Sequence, residues 1–142
     1  MNRKTGVVFI LALVAGVITV ACDRGSKSSA SDKTIKSANT GGLTITIASD
    51  TGEVKSGDND LILSFADESG KTVDVGAASL KFHMPAMGLM AEMNDVATLT
   101  TTDIPGRYRA RVHVEMPGTF EAQVNYQGPK GTGQVSMNVT AK

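Results

Sequence analysis

Between Arg107 and Met116 every second residue is apolar: Tyr108, Ala110, Val112, Val114 and Met116 alternate with Arg107, Arg109, Arg111, His113 and Glu115. Side chains of an extended strand point to its two faces in turn, so a period of two predicts a strand with one face in a core and the other in water. Phe120, Ala122, Val124 and Tyr126 repeat the pattern, and so do Val135, Met137 and Val139. Upstream, Leu43, Ile45 and Ile47 alternate with threonines, residues 61–66 form an apolar run, and Asp67-Glu68-Ser69-Gly70 is turn chemistry leading to a further strand at 72–75. Leu80, Phe82 and Met84 share one face of the next strand, with Lys81 and His83 on the other, and a threonine-rich strand follows at 96–102. Seven or eight short strands, Gly/Pro punctuation and no convincing helix predict an all-β fold, an antiparallel β-sandwich.

The chain ahead of this domain reads differently. Residues 1–21 begin with Asn2-Arg3-Lys4 and continue into an apolar run from residue 7, shorter than a bilayer span, which ends at Cys22. That pattern predicts a secretory signal peptide. Val20-Ala21-Cys22 resembles the end of a bacterial lipobox, with Thr19 departing from its usual aliphatic residue, so Cys22 is the expected lipidation site. Asp23 behind it resembles the inner-membrane retention signal of enterobacterial lipoproteins. Residues 22–42 are rich in Ser, Lys, Gly, Thr, Asn and Asp; they bury too little to offset ordering and predict a flexible tether. Residues 43–142 suffice for one domain with one core. The expected location is the cell envelope, lipid-anchored on the outer face of the cytoplasmic membrane or in the periplasm. Cys22 is the sole cysteine, so a disulfide within one chain is excluded. With 14 basic and 14 acidic residues and no Trp, the chain lacks both the basic footprint and the stacking platforms of a nucleic-acid binder.

Chemistry concentrates in one segment, His83-Met84-Pro85-Ala86-Met87-Gly88-Leu89-Met90-Ala91-Glu92-Met93, where methionines recur at every third position. Thioethers are soft donors that suit Cu(I), and imidazole is a further copper ligand. The candidate metal ligands are His83, Met87, Met90 and Met93. Methionine also fills irregular apolar gaps and serves adaptable protein contacts, so a metal-free role competes. Spacing of three would suit one stripe of a helix, but Pro85 and Gly88 oppose it. An irregular loop, with at most one helical turn at 89–93, is expected. If the strand ending at Met84 runs up and 96–102 runs down, the strand from Arg107 runs up again and Met116-Pro117-Gly118 returns to the same end. Met84, His113 and Met116 are therefore possible additional ligands, although alternation assigns Met84, Met116 and Met137 to the core and both histidines to solvated faces.

Met84-Pro85-Ala86-Met87-Gly88, then Gly106-Arg107-Tyr108-Arg109-Ala110, then Glu115-Met116-Pro117-Gly118-Thr119-Phe120-Glu121 together resemble the YtkA-like/FixH family. The resemblance covers roughly residues 43–140 and implies an extracytoplasmic immunoglobulin-like domain. It also implies a setting of copper handling, metal efflux or oxidase assembly, with a membrane transporter or oxidase-assembly protein as partner. Many members carry His soon after Met-Pro-x-Met-Gly, where this chain has Leu89 and then Met90, and Phe120 stands where Trp is common.

Catalytic motifs are absent from the sequence, and no enzyme activity is expected. Gly128-Pro129-Lys130-Gly131-Thr132-Gly133 begins like a P-loop, but Gln134 and Val135 stand where Lys and Ser/Thr would hold phosphate and Mg²⁺. A hairpin turn is expected there. Asn138-Val139-Thr140 fits a glycosylation sequon that carries little meaning inside a strand. Asp50, Glu53, Asp58 and Asp60 lack EF-hand spacing and read as a solvated loop.

Overall fold

The computed structural model describes residues 32–142; the segment expected to be a signal peptide, Cys22 and the start of the expected tether lie outside the described residues. Nine strands follow one another: β1 Lys33–Thr40, β2 Leu43–Ser49, β3 Gly57–Asp67, β4 Ala77–Met84, β5 Met93–Val96, β6 Thr98–Thr101, β7 Arg107–Val114, β8 Gly118–Gly128 and β9 Gly131–Ala141. They form two antiparallel sheets, β1-β2-β3-β7-β6 and β5-β4-β8-β9. Apart from β1, this is the strand order of an immunoglobulin sandwich, with β2-β3-β7-β6 as one sheet and β4-β8-β9 extended by β5 as the other. The inward residues anticipated by alternation fill the core: Ile45, Ile47, Leu61, Leu63, Phe65, Leu80, Phe82, Ala110, Val112, Val114, Phe120, Ala122, Val124, Met137 and Val139 are all buried. Phe65 meets Tyr108 and Tyr126 edge-on, and Phe82 meets Phe120 the same way, the arrangement that aromatic quadrupoles favour.

Four expectations need correcting. Residues 33–40 of the supposed tether are strand β1, which pairs with β2 along its length. Its apolar contribution is small, Ile35 and Ala38 packing on the core; backbone pairing with β2 and side-chain hydrogen bonds of Ser37 and Asn39 to that strand hold it. No strand forms at 72–75, where Thr72 makes one isolated bridge to Ala66. The segment 96–102 is not one strand: β5 pairs with β4 in one sheet, β6 pairs with β7 in the other. Ala97, buried between them and donating its N–H to the Leu80 carbonyl, carries the chain across. The described residues accordingly hold nine strands rather than seven or eight. The turn at Pro129-Lys130 joins β8 to β9 with Gly128 opposite Gly131, a hairpin as anticipated.

Two motif glycines have steric reasons. Gly106, at φ 79°, would place a Cβ 2.0 Å from the Val73 carbonyl oxygen, a clash that no side-chain rotation relieves. Gly118 would place one 2.6 Å from the Met84 methyl. The second contact sets the β7–β8 turn against the end of β4, at the end of the sandwich that carries the methionine segment.

Candidate functional site

The segment between β4 and β5 is not a helical stripe. Met84 pairs with Met93 and His83 with Asn94; beyond an interruption at Pro85, Met87 pairs with Met90. All three pairs belong to one hairpin register, so the threefold methionine spacing closes on itself as two facing couples. Met87 N–H donates to the Met90 carbonyl at 3.1 Å, and Met90 N–H donates to the Met87 carbonyl at 2.9 Å. This reciprocal exchange defines a hydrogen-bonded antiparallel pair, whose side chains stand on one side of the ribbon. Gly88 and Leu89 make the two-residue turn; Gly88 has φ 58°, a conformation open to glycine at no steric cost. The helical turn anticipated at 89–93 is replaced by this β-turn, and the described residues contain no helix.

The four primary candidates are thereby divided. Met87 and Met90 stand together and exposed, 55% and 43% accessible, with Leu89 wholly exposed at the tip. Met93 pairs with buried Met84 on the inward side of the sheet and packs on the core. His83 lies on the outward side, between buried Phe82 and Met84. Its Nδ1 lies 2.9 Å from Asn94 Oδ1, a contact that fixes the ring orientation through the partner strand, as in histidines oriented for metal binding. By residue parity His83 shares the side of Met87 and Met90, but it stands four residues back, roughly 13 Å of strand rise.

The additional candidates also separate. His113 lies on the outward face of β7 in the other sheet, beside Asp58 with Nδ1 and Oδ1 2.8 Å apart. The core lies between it and His83, so the two histidines share an end of the sandwich without sharing a face. The Asp58 hydrogen bond, chiefly, raises the His113 pKa above the ordinary imidazole value, opposed by desolvation and helped by the charges of Asp58, Asp95 and Glu115. Met84 is 4% accessible, with its methyl against Gly118. Met116 is half-buried in the β7–β8 turn at this end.

Three features escaped the sequence reading. Asn94 orients His83, and the hairpin register would have found it, since the Met84–Met93 couple forces the His83–Asn94 couple beside it. Glu121 faces His83 from β8; its carboxyl is held below the usual range, first by a hydrogen bond from Ser136 and to smaller degrees by Gln123, His83 and Lys81, against desolvation. Asp95 shares the inward parity of Phe82, and its Oδ2 is buried without a partner. An inward carboxylate on edge strand β5 discourages edge-to-edge pairing with other chains.

Among the described residues no group of three or more His, Cys, Asp or Glu side chains is arranged to hold a metal ion. Thioethers are the soft donors at the hairpin tip, and they suit a soft monovalent ion. No curated protein and no solved structure matches the chain. Compared with known families, residues 37–125 match one described as YtkA-like. The match runs from the middle of β1 nearly to the end of β8 and takes in the methionine hairpin, Gly106-Arg107-Tyr108 and Met116-Pro117-Gly118. Over more than half its length, then, this sandwich with its methionine hairpin is a member of the YtkA-like family.

Proposed function

We propose that the chain is a membrane-tethered extracytoplasmic binding domain that holds or passes a soft metal ion, Cu(I), on Met87 and Met90. The reciprocally bonded Met87–Met90 couple carries this reading: a tight turn holds two thioethers side by side in solvent, while Met84 and Met137 of the same chain are buried. Met93 serves the core, and His83 assists only if the hairpin bends at Pro85. Cys22 is the lipid attachment, and the partner that gives or takes the ion is a membrane transporter or oxidase-assembly protein, in keeping with the family resemblance. Cu(I) or Ag(I) titration tests the metal reading. Wild type binds at micromolar metal and the Met87→Leu/Met90→Leu variant does not; equal binding by both would remove the hairpin from the site. Leu and Met are close in volume, so each swap costs less than about 1.5 kcal/mol and ligand loss is separated from unfolding. For the anchor, Cys22→Ala moves the protein out of the detergent phase or leaves it unprocessed, and an unchanged detergent-phase fraction counts against lipidation.

A metal-free docking module is the second reading, favoured by one observation: among the described residues the large exposed apolar side chains, Met87, Leu89, Met90 and Val96, all fall within ten positions of sequence. Leu89→Ser separates the two readings, because it spares both thioethers and removes the apolar tip.

A further inference from the structure

The hairpin tip offers two thioethers and no third soft donor of its own: Glu92, two residues beyond Met90, is a hard carboxylate. Met93 has the opposite parity and packs with Met84 on the core. His83, of matching parity, is roughly 13 Å back along the strand. Two neutral thioethers leave a Cu(I) or Ag(I) ion with coordination positions open, and such an ion seeks further soft donors. The tip is also unobstructed. Leu89 is fully exposed, and the backbone hydrogen bonds of Met87 and Met90 are made to each other.

We propose that Met87 and Met90 form half of a site, completed by the same two residues of a second copy of this chain. One Cu(I) or Ag(I) ion then joins two hairpins tip to tip through four thioethers. The arrangement is isologous: each chain presents the same couple to the other across a twofold axis through the ion, and the assembly closes at two. It forms only with metal, because Met87, Leu89 and Met90 offer far less than the ~1,000 Å² of a stable protein interface. Tethering every copy at Cys22 would confine them to one plane and favour the encounter. Mass action gives a distinctive dependence on dose: two chains share an ion when metal is scarce, and each takes its own when metal is in excess. The inference rests on the reading that Met87 and Met90 bind metal, and it fails separately from it.

The test is Ag(I) titration of the full chain in detergent, read by native mass spectrometry and by X-ray absorption at the silver edge. The expected result is a species of two chains and one ion that peaks near half an equivalent and declines toward one equivalent. At the peak, four sulfur neighbours surround each ion. Met87→Leu/Met90→Leu removes both the dimer and the bound metal, whereas Met137→Leu, a buried change in the core, behaves as wild type. A complex of one chain and one ion at every ratio, with nitrogen among the neighbours, overturns the half-site and makes His83 the completing ligand. A dimer that persists in the double variant overturns it too, as contact without coordination. No bound metal at any ratio removes the metal reading and the half-site together.

Discussion

Met84 and Met87 are three residues apart, belong to one hairpin and have the same side chain, yet they live in different solvents. Met84 faces Met93 beneath the sheet, with its methyl against Gly118; Met87 faces Met90 in water. Both couples obey one register. What divides them is parity: an odd step along an extended chain reverses the face, and the break at Pro85 releases the outer couple from the sandwich. The chemistry of a methionine here is set by its place in the hairpin rather than by the motif it belongs to.

The sharpest way to break this contrast is truncation. Met84→Ala leaves a cavity at the end of the core and is expected to destabilise by about 2–5 kcal/mol, visible as a fall in the midpoint of denaturant unfolding. Met87→Ala, three positions on, should stay within about 0.5 kcal/mol, as for surface substitutions generally. Similar losses at the two positions would mean that the outer couple is packed after all. A smaller effect, about 1–3 kcal/mol, is expected of Gly118→Ala, whose added methyl collides with that of Met84 and overpacks the inner couple. Met84→Ala/Gly118→Ala should then cost less than the sum of its parts, and simple additivity in the same unfolding assay would separate the two contacts.

Oxidation sharpens the contrast without touching stability. Dilute peroxide should convert Met87 and Met90 to sulfoxides well before Met84 and Met137, since exposure governs attack on thioethers; peptide mass spectrometry at several times reads the order. Uniform oxidation would mean that the inner couple opens to solvent. The smallest expected effect is at His113. Its pKa is raised mainly by the Asp58 hydrogen bond, so the pair adds stability in full below the unfolded imidazole pKa and loses it as pH rises through the folded one. The pair is exposed, which keeps the effect small. In an NMR titration Asp58→Asn should lower the His113 pKa toward the ordinary value, whereas Met87→Leu/Met90→Leu should leave it unchanged. A response to the methionine change would show that the two faces of this end communicate.

The strands that were easiest to read alternate cleanly: β7 buries every second residue, β8 does so from Phe120 to Tyr126, and β9 does so from Met137 on, with Val135 half-buried. Strand β1 was missed for a physical reason: it is polar and lies at a sheet edge, and a bulge between Thr34 and Lys36 shifts its register, which disrupts the periodicity that would have revealed it. The switch at Ala97 was invisible because a threonine-rich stretch looks alike whether it serves one sheet or two. In the site, residue types and their location at one end were legible. Their partition was not, because a spacing of three is ambiguous until a turn position is known. Gly88, next to the midpoint of the four methionines, was the available clue.

The crossing at Ala97 bears on how the domain moves. Strands β5 and β6 form the margins of the two sheets on the same side, and one uninterrupted chain runs through both. They act as the spine of a book. The opposite margin is held by β1, which rests lightly on the core, and by the end of β9, clasped through hydrogen bonds linking Val54 and Ser56 to Lys142. Opening fluctuations should therefore begin at the β1 side, with hydrogen exchange faster in the paired amides of β1 than in those joining β6 to β7. The methionine hairpin grows out of the spine, so the Met87–Met90 couple would keep its place while the far cover lifts.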